Sequence, residues 1–274
     1  MRLIDSHAHL DMKDFKTDFD RVLSRALDGG IRHIVTIGID LNSSRAALEL
    51  AENYEFISST IGFHPHAADR VTEELLKQIA GLAQNENIVA WGEIGLDFFK
   101  KYSHIENQVE AFQQQLKLAQ DYDLPVIIHE REAHQESYEI LKEKHPSHKG
   151  VIHFFSGDYE WAMKFIDMGY FISIPGTVTY PKAEQVRDVA TRIPLKRLLI
   201  ETDCPFVAPV PKRGKRNEPL YVSYVAEEIA RLRDLDLETL ALTTLENTVK
   251  LFGLEKRIST EPLLEQRSHE FSPN

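Results

Sequence analysis

The chain is constrained first by an alternation that repeats eight times. Short apolar runs of strand length occur at Arg2–His7, Arg32–Ile37, Phe56–Gly62, Ile88–Glu93, Pro125–His129, Gly150–His153, Tyr170–Ile174 and Arg197–Glu201. Amphipathic stretches lie between and after them, at Asp18–Gly29, Ser43–Asn53, Glu73–Gln84, Glu106–Tyr122, Ala133–Lys144, Glu160–Met168, Pro181–Ile193 and Leu220–Arg233. Within the fourth of these, Val109, Phe112, Leu116 and Ala119 follow helical spacing. Strands that alternate with helices favour a parallel sheet. Eight such units in 274 residues fit a closed (β/α)8 TIM barrel, an α/β fold of typically about 250 residues, better than an open doubly wound sheet. No Gly/Ser/Pro-rich linker divides the chain, so a single barrel domain is expected over residues 1–256. Leu240–Phe252 reads as a closing helix ended by Gly253, and residues 257–274 as a polar, poorly ordered tail.

Composition narrows the function classes. Lys and Arg total 32 and Asp and Glu 43, a net charge of −11, which argues against a protein that coats DNA through a basic surface. A nucleic acid gripped at one site remains compatible, because bound cations supply local positive charge. The single cysteine, Cys204, excludes an intrachain disulfide framework and a multi-cysteine zinc site. No apolar run approaches the roughly 20 residues of a membrane span. The opening Met1-Arg2-Leu3-Ile4-Asp5 carries no apolar leader. A cytoplasmic monomer without membrane contact is the expectation. Twelve histidines beside one cysteine are the unusual feature, since imidazole is the commonest metal ligand.

The positions of six polar residues carry the functional argument. His7 and His9 close the first predicted strand two residues apart, so on an extended backbone both imidazoles face the same side. Glu93, His129 and His153 end the fourth, fifth and sixth strands, and Asp203 follows the eighth. In a (β/α)8 barrel those strand ends converge on one rim, where active sites are found. Any one of these residues alone reads as a local hydrogen-bonding group or a helix cap. Six together at one rim would be costly without an ion or hydrogen-bond partners. His33, His104, His134, His145, His148 and His269 fall on strand beginnings, helices or loops, and read as surface or locally bonded residues.

The segments Asp5-Ser6-His7-Ala8-His9, Gly62-Phe63-His64-Pro65-His66, Gly92-Glu93-Ile94-Gly95-Leu96-Asp97, His153-Phe154-Phe155-Ser156-Gly157, Glu201-Thr202-Asp203-Cys204-Pro205 and Arg213-Gly214-Lys215-Arg216-Asn217-Glu218-Pro219 resemble the TatD family of metal-dependent hydrolases. The resemblance runs from about Leu3 to Gly253. It implies a (β/α)8 barrel of the amidohydrolase-like type, related to magnesium-dependent deoxyribonucleases. It also implies a two-metal centre in which His7, His9 and Asp203 hold one ion, His129 and His153 the other, and Glu93 bridges them. Two departures stand out. Phe154 takes a place where relatives often carry Cys, and Glu130 one where a small residue is common.

The resemblance points to Mg²⁺, whereas mixed imidazole and carboxylate ligands suit Zn²⁺, Mn²⁺ or Ni²⁺. Two divalent ions suit phosphodiester hydrolysis by an activated water, with Asp203 placed to accept its proton. His64 and His66 follow the third strand, and their presence in the family motif favours contact with phosphate or leaving group over a simple Pro65 turn. Arg131 is a candidate phosphate contact, with pairing to Glu132 as the alternative. Lys212-Arg213-Gly214-Lys215-Arg216 is the one dense basic run, read as a phosphate-binding loop through Arg213, Lys215 and Arg216, with Asn217 and Glu218 fixing its shape. Phe155 and Tyr180 are candidates for base stacking or for packing, and Cys204 reads as a small buried residue. The leading expectation is a metal-dependent DNase, exonucleolytic on single-stranded or frayed ends, with RNA also possible as substrate. The alternative is an ester hydrolase of the same fold, such as a D-aminoacyl-tRNA deacylase; a metal-binding scaffold without catalysis is the third.

Overall fold

The structure is a computed structural model and describes residues 2–145 and 149–258. Its strands are β1 (Leu3–Ala8), β2 (Ile31–Thr36), β3 (Ile57–Ile61), β4 (Ile88–Asp97), β5 (Val126–Arg131), β6 (Gly150–Ile152), β7 (Phe171–Ile174) and β8 (Leu198–Ile200). The helices are α1 (Phe19–Asp28), α2 (Leu41–Asn53), α3 (Glu73–Ala80), α4 (Ile105–Asp121), α5 (His134–Lys144), α6 (Tyr159–Asp167), α7 (Glu184–Arg192), α8 (Val222–Arg233) and α9 (Leu237–Phe252). The strands form one parallel sheet in chain order.

The sheet curls until its ends meet. Ala8 bridges Cys204, the His9 amide donates to Cys204 O at 2.8 Å, and the Asp203 amide donates to His7 O at 2.9 Å. Lower in the seam, Ser6 Oγ donates to Ile200 O at 2.9 Å. Barrel closure therefore sets residues from opposite ends of the chain side by side, and those residues include His7, His9 and Asp203.

Two apolar layers hold this arrangement. The outer one, with Trp91, Phe112, Phe165 and Tyr170, lies between the sheet and the helices. The inner one takes Ile4, Val35, Val89, Ile127, Val151 and Leu199 from the strands. Against these pack Leu245, Val249 and Phe252 of α9, with Leu254 and Ile258 just beyond. The closing helix thus stoppers the N-terminal mouth with hydrocarbon and leaves the C-terminal rim as the open end. Caps define the helix starts: the side chains of Asp40, Thr72, Asp158 and Asp236 accept from the backbone amides of α2, α3, α6 and α9. Gly253, at φ 67°, ends α9 in the left-handed conformation that glycine adopts most readily.

Two boundaries differ from the sequence reading in ways that matter. β4 continues past Glu93 to Asp97, paired with β5 as far as Arg131. Gly95 permits this close approach, because a Cβ there would lie 2.0 Å from His129 O. The expected tail boundary at Arg257 also needs correction. Arg257 donates to Glu86 O at 3.1 Å and Asn87 Oδ1 at 2.7 Å, and Ile258 is buried in the inner layer. The remainder of the expected tail, with His269, lies outside the described residues, as does His148.

Candidate metal centre

Strand geometry delivers the donors. His7 sits near the end of β1 with His9 one residue past it. Glu93 lies within β4, His129 within β5, His153 directly after β6, and Asp203 three residues after β8. His64 follows β3 and caps the 3-10 turn Pro65–Arg70, accepting from the His66 amide. The six residues expected as ligands converge at one place around Glu93.

The two carboxylate oxygens of Glu93 face different neighbours. Oε1 lies 2.6 Å from His129 Nδ1, 2.9 Å from His153 Nε2 and 3.3 Å from His64 Nε2. Oε2 lies 3.4 Å from His7 Nε2 and 3.9 Å from His9 Nε2. Asp203 Oδ1 stands over that second group, 3.3 Å from His9 Nε2 and 3.7 Å from His7 Nε2. Among the described residues, three triads have donor atoms close enough together to hold a cation: His7, His153 and Asp203; His7, His9 and Glu93; and His64, Glu93 and His129. The third triad adds His64 to the six expected residues.

The donors fit a cation by the hydrogen bonds they do not make. His7 Nε2, which faces Glu93, is buried without a hydrogen-bond partner among the described residues. Buried imidazole nitrogens are normally satisfied, and cations satisfy such lone pairs. Electrostatics divide the donors. Burial, reinforced by the neighbouring His153, lowers the His7 pKa, and burial pushes His64 down to about 4, which favours the neutral form that metal coordination requires. Burial acts the same way on His9, His129 and His153, but Asp203 raises the first, Asp97 and Glu93 the second, and Glu93 and Glu201 the third. The carboxylates draw positive charge onto these rings, which a bound cation would supply in place of a proton. Burial opposes ionisation of Glu93, yet His153, His64 and His129 around it hold its carboxyl well below the usual range. A fixed carboxylate thus lies at the centre of the imidazoles.

A second row of carboxylates orients the first. Asp97, brought into range by the extension of β4, lies 2.8 Å from His66 Nε2 and 3.3 Å from His129 Nε2. Its other oxygen accepts from the amides of Phe99 and Lys100. Glu201 Oε1 accepts from the Phe154 amide at 2.6 Å and lies 3.4 Å from His153 Nδ1. Asp5, whose pKa burial raises to about 8, accepts from the Thr202 amide and hydroxyl. Such partners fix ring orientation at metal sites. The sequence reading quoted Asp97 and Glu201 within motifs but gave them no role. Their signal was position: one four residues beyond Glu93 on the same strand, the other two before Asp203.

The donors open into a cleft of about 670 Å³, within the range of pockets that take small ligands. The cations on its wall are Arg70, Lys100 and Arg131, of which only Arg131 was expected. The Arg131 guanidinium lies over the Phe99 ring, 4.0 Å from its centroid; its expected alternative partner, Glu132, sits in the left-handed backbone region at φ 55°. The basic loop departs from the reading. Arg216 is not presented to the cleft: it donates to both oxygens of Asp18, at 2.7 and 2.8 Å, and to Glu218 at 3.3 Å. Glu218 also pairs with Arg25, and the loop is tied down by Asn217 Nδ2 donating to Thr202 O and Phe206 O. The reason is charge: Asp18, just before α1, and Glu218, on the loop itself, capture the guanidinium. Arg213 covers the Tyr180 ring, 4.5 Å from its centroid, and Lys215 is exposed outside the cleft wall. Phe155 is 2% exposed and belongs to the outer core. Cys204 is buried in the seam. Glu130 is also buried, accepting from the Ala133 amide and bonding His134 at the start of α5. His104 pairs with Asp69 at the surface.

Comparison with known proteins places this geometry among relatives. The sequence profile of the family described as TatD related DNase matches residues 4–253. The metal-dependent hydrolase YabD of Bacillus subtilis is 43% identical over 92% of this chain and 99% of its own. A protein of Citrobacter koseri named 3'-5' ssDNA/RNA exonuclease TatD is 35% identical, again over 92% of this chain and 99% of its own. Among solved structures, the TatD homologue YjjV of Escherichia coli superposes with a TM-score of 0.88 at 36% identity, covering 92% of this chain and 98% of that one.

Proposed function

The chain belongs to the TatD family of metal-dependent hydrolases, and from that premise we propose that it is a phosphodiesterase that removes nucleotides from the end of a single-stranded nucleic acid. The observation that carries the reading is the division of Glu93, one oxygen facing His129, His153 and His64 and the other facing His7 and His9. Two half-sites follow: His7, His9 and Asp203 with Oε2 in one, His129, His153 and His64 with Oε1 in the other. Divalent ions, when bound there, acidify water and offset charge on a phosphodiester; the nitrogen-rich donor set suits Zn²⁺ or Mn²⁺ better than Mg²⁺.

The chain's own residues do the rest. Asp203 sits at the cleft wall, 13% exposed, and accepts a proton from the attacking water. Arg131, Lys100 and Arg70 bind backbone phosphates, which concentrates positive charge at one cleft of an acidic protein. His66, steadied by Asp97 and one-third exposed, contacts the phosphate or the departing oxygen. The relative named as an exonuclease on ssDNA and RNA supports the substrate class, and a cleft at the end of a barrel admits a flexible strand end more readily than a duplex.

The test uses metal-stripped protein reloaded separately with Mg²⁺, Mn²⁺ and Zn²⁺. End-labelled single-stranded DNA and D-aminoacyl-tRNA are offered in parallel, with Asp203→Ala as the control for contaminating nuclease. Metal-dependent shortening of the DNA that Asp203→Ala abolishes is the expected result. Release of amino acid with intact nucleic acid overturns it in favour of a deacylase.

A further inference from the structure

Among the described residues, five of the eight exposed large hydrophobics lie in the loops that follow β4 and β8: Phe99, Tyr102, Phe206, Val207 and Val210. Scattered exposed hydrophobics need no explanation; a concentration beside a buried polar cluster does. Two phenyl rings come closest to the metal centre. Phe206, 45% exposed, meets the edge of His9 with 5.9 Å between ring centroids. Phe154, partly exposed on the cleft wall, meets the edge of His153 at 6.1 Å. Between them His9, His7 and His153 run in a continuous row, with centroids 5.1 and 3.8 Å apart. The two phenyl rings therefore bracket the row of imidazoles, one at each end. Neither joins the described apolar core.

Strained backbone lies at one ring and next to the other. Phe154 has φ 44° and Val207, next to Phe206, has φ 46°. That left-handed region is sparsely populated by ordinary side chains and is an outlier for a β-branched one, and strain of this kind concentrates at functional sites. Glu201 fixes the first by accepting the Phe154 amide, and Asn217 fixes the second by donating to Phe206 O.

We propose that Phe154 and Phe206 each stack on a nucleobase, one at either end of the imidazole row and so on either side of the scissile phosphate, an inference that rests on the nuclease reading above. The occupant follows from what surrounds the rings. Flat apolar faces in the same cleft as the cations Lys100 and Arg131 match a planar base joined to an anionic backbone, and stacking on aromatic rings tolerates any base.

The experiment compares a single-stranded oligonucleotide with an abasic strand of the same length, on the metal-loaded protein. Wild type should prefer the base-bearing strand in kcat/KM. Phe206→Leu and Phe154→Leu, which keep apolar bulk and remove the π face, should each shrink that preference about tenfold, chiefly through KM. Phe206→Tyr should retain it. Metal content and thermal midpoint, measured alongside, show that each variant is folded and loaded. Equal preference in wild type and both leucine variants overturns base stacking by these rings while leaving the nuclease reading intact. Failure of wild type to shorten either strand, with ester substrates still cleaved, overturns the nuclease reading and the stacking with it.

Discussion

Buried histidines occur at both ends of this barrel, and they are built differently. At the N-terminal end, His33 on β2 is 1% exposed and bonds Ser58 Oγ at 2.8 Å. His145, fully buried after α5, bonds the Tyr170 hydroxyl. At the C-terminal rim, His7, His9 and His153 are as deeply buried, yet they face carboxylates, and His7 Nε2 keeps no hydrogen-bond partner among the described residues. Burial alone therefore says nothing about function. A buried imidazole paired with a hydroxyl behaves as part of the core. A group of them gathered around a carboxylate, with an unmet ring nitrogen facing it, is arranged to bind something that the rest of the chain does not supply.

The comparison breaks most visibly if the rim tolerates loss of its shared carboxylate. Glu93→Ala should lower metal-dependent hydrolysis by about 1,000-fold or more and reduce bound metal, while the thermal midpoint of the metal-free protein changes little. Elemental analysis with steady-state kinetics reads both, and full activity after the change would remove the two-half-site arrangement.

Asp97→Asn sharpens the distinction between binding a metal and orienting its ligands. It preserves shape and weakens the grip on His129 and His66, so metal affinity or activity should fall about 10- to 100-fold. Competition with a chelator measures the affinity; a variant indistinguishable from wild type would make Asp97 merely a cap for the turn that follows it.

The other end is tested by pH. Burial, with the charge of Arg257 added, pushes His33 down to about 3, against about 6.5 in an unfolded chain. The unfolded state therefore binds the proton first. The stability contribution is complete above about pH 6.5 and is lost as pH falls from there towards about 3, by roughly 1.4 kcal/mol per pH unit. Denaturant titrations between pH 4 and 7 should show a shallower loss in His33→Gln than in wild type. The same loss in both would place the acid sensitivity elsewhere.

The smallest effect belongs to Arg216. Its bond to Asp18 holds the Asp18 carboxyl down to about 2, but the pair lies at the surface, where solvent screens such contacts and they add little stability. Arg216→Ala should leave KM for an oligonucleotide within about twofold and the thermal midpoint nearly unchanged. A large rise in KM would return this residue to substrate binding.

Much of this was legible because periodicity and end position are local properties. Eight alternating segments specify a parallel barrel, and a residue at the C-terminal end of a strand in such a barrel has one place to go. His7, His129 and His153 could therefore be assigned to the rim from strand ends alone. Arg216 could not be read in the same way, because its partner Asp18 is distant in sequence and only the folded loop brings them together. Lys100 and Arg70 lay in unremarkable surface-like stretches, and the extension of β4 to Asp97 depends on how closely Gly95 lets β5 approach.

The sequence by itself thus determined the architecture and the convergence of the six expected donors, since hydrophobic spacing fixes the strand order and the strand order fixes the rim. The tertiary structure decided which oxygen of Glu93 faces which imidazole, that His64 joins them, and which cations and aromatic rings border the cleft. Those outcomes depend on side-chain directions and on contacts between segments far apart in the chain, where a shift of an ångström separates a ligand from a bystander.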